Sequence, residues 1–69
     1  NPTIVQIYYN RGESYHLLGE YQKAISDFSK VIAHDPNDKE AYLNRAKAYH
    51  AIGETEKAIA DENIVKKLQ

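Results

Sequence analysis

The chain is written twice. Residue n set beside residue n+34 gives Pro2 on Pro36, Tyr8 on Tyr42, and Asn10-Arg11 on Asn44-Arg45. The matches continue with Tyr15-His16 on Tyr49-His50, Gly19-Glu20 on Gly53-Glu54 and Lys23-Ala24-Ile25 on Lys57-Ala58-Ile59. Asp27 and Val31 fall on Asp61 and Val65. Self-similarity at a period of 20–50 residues marks a unit too small to bury its own apolar face, which gains cover by stacking on its neighbour. Whatever this chain folds into, it makes the same object two times over.

Each copy carries helix signals. Thr3 with Gln6, and Asn37 with Glu40 one period on, have the spacing of a capping box. The first helix is expected from about Ile4 to Leu18, with a buried stripe of Ile4, Ile7 or Tyr8, Arg11-Gly12, Tyr15 and Leu18. Gly12 costs about 1 kcal/mol against Ala inside a helix, so its presence predicts that another helix crosses closely there. Gly19 supplies the left-handed residue that ends a helix. The second helix is expected over 21–34, with Ala24, Ile25, Phe28, Val31 and Ile32 as its apolar face. Asp35-Pro36-Asn37 turns the chain. A third helix over 38–52, a stop at Gly53 and a fourth helix over 55–68 complete the series. Connections this short force consecutive helices antiparallel. The expected fold is all-α, an α-solenoid of two stacked helix-turn-helix hairpins in one domain over 1–69, with repeat one at about 3–36 and repeat two at about 37–69.

Composition narrows the function classes. At 69 residues the chain has room for one small domain, which buries roughly 60% of its unfolded surface and holds a stability of about 3–10 kcal/mol. A net charge of −1 with mixed signs gives no electrostatic footprint for nucleic acid or an anionic membrane. Zero cysteines leave no disulfide or thiolate chemistry, which fits a reducing, cytoplasmic setting. No apolar run approaches the roughly 20 residues of a bilayer span. The absence of an initiating Met, and a Pro2 that already occupies the place of Pro36, lead us to expect a piece of a longer repeat array. Ile4, Val5, Ile7, Tyr8 and Tyr9 crowd the opening helix with apolar surface, a candidate face for a homo-oligomer. The last helix has Glu62 where the second has Phe28, together with Glu56, Lys66 and Lys67, a polar outer side of the kind a terminal unit needs.

Arg11 and Arg45 are each followed 16 residues later by an aspartate, Asp27 and Asp61. That separation places acid and base on the two helices of one hairpin. We expect structural ion pairs between helices, with the cross-unit pairing Arg45–Asp27 as the alternative. Such pairs contribute little net stability, yet losing one partner costs several kcal/mol.

In register, the units read Tyr8-x-x-Arg11-Gly12-x-x-Tyr15, Ala24-x-x-x-Phe28, Pro36 and then Tyr42-x-x-Arg45-Ala46-x-x-Tyr49, Ala58-x-x-x-Glu62. This pattern resembles the tetratricopeptide repeat over essentially the whole chain. It departs from the usual form in Tyr8 and Tyr42 for Trp, Arg11 and Arg45 for Leu, and Glu62 for an aromatic. The resemblance implies a protein–protein interaction scaffold whose first helices line a concave surface that takes a short peptide or helix. Helix faces then assign Gln6, Tyr9, Asn10, Glu13, His16 and Leu17 to that surface from unit one. Unit two adds Glu40, Leu43, Asn44, Lys47, His50 and Ala51. Asn10 and Asn44 have amides able to donate to and accept from a peptide backbone. Tyr8, Tyr15, Tyr42 and Tyr49 are expected in the core. Relatives that clamp the acidic tails of heat-shock chaperones use a lysine and an asparagine where Tyr9 and Glu13 stand here, so Asn44 alone matches that clamp.

Other chemistries find less in the residues. His16 and His50 lie one period apart, but Lys47 replaces the counterpart of Glu13, so no metal is expected. Ser14, Ser26 and Ser29 have no catalytic motif around them; the reading is no enzyme and no cofactor. A helical-repeat RNA reader would need a basic groove, against Glu13 and Glu40. Self-association is the remaining alternative.

Overall fold

The computed structural model describes residues 2–68, with side chains described from Ile4 onward. Four helices follow one another, α1 over Pro2–Leu17, α2 over Tyr21–His34, α3 over Lys39–Ala51 and α4 over Thr55–Leu68. No strand occurs among the described residues. α1 packs on α2, α3 on α4, and the two hairpins meet chiefly through α2 and α3.

The two hairpin corners share one geometry because they share one glycine. Gly19 and Gly53 have φ of +79° and +80°. At the first corner the N–H of Glu20 donates to the carbonyl of Tyr15 (2.8 Å) and that of Gly19 to His16 (3.1 Å). At the second, Glu54 donates to Tyr49 (2.9 Å) and Gly53 to His50 (3.1 Å). This pair of bonds is the Schellman arrangement, which satisfies the last carbonyls of a helix when the residue after it turns left-handed.

The starts of α1 and α3 differ from expectation. α1 already runs from Pro2, so Thr3 lies within the helix; its side chain is outside the described residues, and Gln6 donates to Asn10 (3.1 Å). α3 is capped by Asp38, whose Oδ1 accepts from the N–H of Ala41 (3.1 Å), and not by Asn37 with Glu40. The N–H of Asn37 is taken by Asp35 Oδ1 (3.2 Å), and Asp38 N–H closes a turn onto the Asp35 carbonyl (3.1 Å). Pro36 needs that full turn before a helix can begin, which moves the cap one residue on.

The core is Ala24, Ile25, Phe28 and Val31 of α2, Ala41, Tyr42, Ala46 and Ala48 of α3, and Ala58 and Val65 of α4. On α1 the expected stripe is rotated by one row. Ile4, Ile7 and Leu18 are exposed, while Val5, Tyr8, Tyr9, Tyr15 and His16 are half-buried around a buried Gly12. The reason is the crossing point. An ideal Cβ on Gly12 would stand 2.9 Å from Cε1 of Phe28, so the ring of α2 lies against bare backbone and fixes which side of α1 turns inward.

Candidate functional site

Between α1 and α3, above α2, lies an open cleft of about 290 Å³ lined by Glu13, His16, Leu17, Phe28, Asn44 and Lys47. It exists because α1 and α3 barely touch each other; both rest on α2, and the space between them is floored by one side chain. That floor is Phe28. Sequence reasoning missed it by looking only at the first helices, although Gly12, sixteen residues before it, marks where a large side chain must fit.

The upper end of the cleft is closed by a bridge. Asn44 Nδ2 donates to the hydroxyl of Tyr9 (3.0 Å), and the Tyr9 ring meets Phe28 edge-on, with centroids 6.0 Å apart at 71°. Burial, and then the carboxylate of Glu13, push the Tyr9 phenol above its ordinary pKa, while the bond from Asn44 acts the other way. The hydroxyl therefore keeps its proton at neutral pH and can donate it onward. Asn44 uses part of its amide on Tyr9, and Asn10 accepts from Gln6, so the two asparagines have different surroundings despite their equivalent positions.

The lower end is set by His16, which packs edge-on against Tyr21 (5.2 Å, 73°) with its Nδ1 enclosed and without a hydrogen-bond partner. Leu17 stands 86% exposed on the rim. Glu13 on one wall and Lys47 on the other place opposite charges across the opening. Gln6, Asn10, Glu40, Leu43 and Ala51 do not line this cleft. Nor does His50, whose Nε2 pairs with Glu62 at 3.1 Å on the far side of α3. Glu62 stands where Phe28 stands in the first hairpin, so past α3 the apolar floor gives way to a polar contact.

Two buried carboxylates hold the hairpins. Asp27 and Asp61 are 1% and 2% exposed. Arg11 donates to Asp27 through Nε and Nη2, both at 2.8 Å; Arg45 donates to Asp61 through Nε (2.8 Å) and Nη2 (2.7 Å). These bonds raise the pKa of both guanidinium groups, keeping them charged. Arg45 does not pair with Asp27; across the hairpin seam it donates from Nη1 to Ser29 Oγ (3.1 Å), a partner that sequence reasoning did not name. Each guanidinium also lies between two tyrosine rings, Arg11 between Tyr8 and Tyr15 (5.7 and 5.8 Å) and Arg45 between Tyr42 and Tyr49 (5.8 and 5.6 Å). Cation–π attraction and bidentate pairing thus converge on one residue per unit.

Among the described residues no group of three or more His, Cys, Asp or Glu could hold a metal ion, and no helix is long and apolar enough to cross a membrane. Two family models, each described as a tetratricopeptide repeat, match the chain. One covers residues 5–38 and the other residues 28–60. No curated protein matches it.

Proposed function

Because the chain belongs to the tetratricopeptide-repeat family, a family of non-catalytic repeat scaffolds that are generally protein–protein interaction modules, we propose that it binds a short peptide or helix of a partner protein in the α1–α3 cleft. The observation that carries this reading is the cleft itself, an apolar floor at Phe28 between walls that bear Glu13 and Lys47. The ligand chemistry that fits is one apolar side chain seated over Phe28, flanked by charges of both signs. Tyr9 O–H and the Asn44 amide stand beside it for backbone carbonyls. A volume of about 290 Å³ lies at the small end of ligand sites, so the cleft takes one anchor side chain, and its affinity alone is modest.

The test is selection of a random peptide library on the chain, followed by amide shift mapping with the enriched peptides. Shifts are expected at Glu13, Leu17, Asn44 and Lys47, and Lys47→Glu should lower affinity tenfold or more, about 1.4 kcal/mol, without lowering the melting temperature. Shifts confined to α2 and α4 would sink the proposal.

A further inference from the structure

The two walls of the cleft are the same stretch of sequence written twice, and they differ in charge at one place. Residues 8–16 and 42–50 agree at Tyr8 and Tyr42, at Asn10-Arg11 and Asn44-Arg45, and at Tyr15-His16 and Tyr49-His50, whereas Glu13 falls on Lys47. α1 therefore brings an acid to the opening where α3 brings a base. Both side chains are exposed. Neither has an ion-pair partner among the described residues, while Arg11 meets Asp27, Arg45 meets Asp61 and His50 meets Glu62. Glu13 and Lys47 do not reach each other, because their helices rest apart on α2 with Phe28 between them.

Opposite charges held apart over an apolar floor give the cleft a direction. Its negative side extends past Glu13. After burial itself, the charges of Glu13, Glu40 and Asp38 all push the Tyr9 phenol up, and the same field favours a positive group brought in beside that ring. Lys47 lies one turn beyond Asn44 on α3, away from the bridge that Asn44 makes to Tyr9. A ligand with both charges matched gains at both walls. Turned round, it meets like charge twice, and repulsion of that kind separates right from wrong partners.

Resting on the binding of a peptide in this cleft, we infer that the cleft takes the peptide in one direction only, with a basic side chain on Glu13 at the α1 wall, an apolar one over Phe28 and an acidic one on Lys47 at the α3 wall. Alternate residues of an extended peptide share one face, so a stretch of about five residues presents all three side chains to the cleft. Glu13 and Lys47 are then the residues that set specificity, and Phe28 supplies an anchor that is the same in either direction.

Selection of a random peptide library tests this on two chains, the parent and one carrying Glu13→Lys with Lys47→Glu. Both are expected to enrich an apolar residue flanked by one basic and one acidic residue, in opposite sequence orders. A synthetic peptide from the parent selection should lose about tenfold in affinity when its basic and acidic residues are exchanged, and should regain it on the exchanged chain. If the exchanged chain loses its helical circular dichroism, Glu13→Gln and Lys47→Gln replace it; the first should erase the preference for the basic residue and the second that for the acidic one. The same order from both chains, or an apolar residue enriched without charges beside it, overturns the charge order and leaves peptide binding in the cleft standing. Enriched peptides that shift no amide at Leu17 or Asn44 overturn both.

Discussion

Gly12 and Phe28 are the two residues whose exchange would most change the molecule. Alanine at position 12 gains about 1 kcal/mol of helix propensity, but its methyl would stand 2.9 Å from the Phe28 ring, and overpacking costs about 1–3 kcal/mol. The steric cost wins. We expect Gly12→Ala to lower stability in urea unfolding, and the same change in a Phe28→Leu background to be neutral or better. Arg45 gives a second residue-scale prediction. Removing it leaves the Asp61 carboxylate, 2% exposed, without its counter-charge, so Arg45→Met should cost about 3–5 kcal/mol. Arg45→Met with Asp61→Leu should recover most of that loss. Tyr9 gives a third. Its phenol is raised by burial and by Glu13, so the folded state favours the neutral form. The stability this contributes is present below the unfolded pKa of about 10 and is lost as pH rises through the folded value. In an absorbance titration at alkaline pH one tyrosine should ionise late, and Tyr9→Phe should remove that late step.

At the scale of the element, the corners govern. Nothing lies within 4 Å of a Cβ built on Gly19 or Gly53, so substitution there is a backbone matter alone. Gly53→Ala should cost about 1–2 kcal/mol in thermal melts, and Gly53→Asn less. These corners were legible in the sequence, as were the lengths of α2 and α4, because glycine and the turn residues act locally. The inward face of α1 was not. Ile4, Ile7 and Leu18 have the period of a buried stripe, and no local rule says that a ring from α2 will settle against Gly12 and rotate the helix. The cap of α3 slipped for a related reason, since Asn37 and Asp38 are both good caps and only the turn after Pro36 chooses between them. In the cleft, Glu13, His16, Leu17, Asn44 and Lys47 could be placed from helix faces. Phe28 could not, because it comes from the layer beneath.

For the molecule as a whole, α2 is the element that both hairpins share. It covers α1 on one side and α3 on the other, whereas among the described residues α4 packs on α3 alone. In an array of this kind stability is the sum of unit and seam contributions, so damage should spread according to which seams a helix joins. Val31→Ala is expected to speed amide exchange in all four helices, and Val65→Ala chiefly in α3 and α4. Equal acceleration everywhere in both variants would mean that the hairpins do not open separately.

The whole assembly of helices measures 31 × 29 × 14 Å. A body that thin is a sheet of side chains two helices deep, and every atom in it is near one surface or the other. A guest pressing on either broad side therefore touches the host's own scaffolding, and its grip should be felt as tightening throughout. Recognition and rigidity in this chain would then rise and fall together, measurable as slower proton exchange at amides the guest never meets.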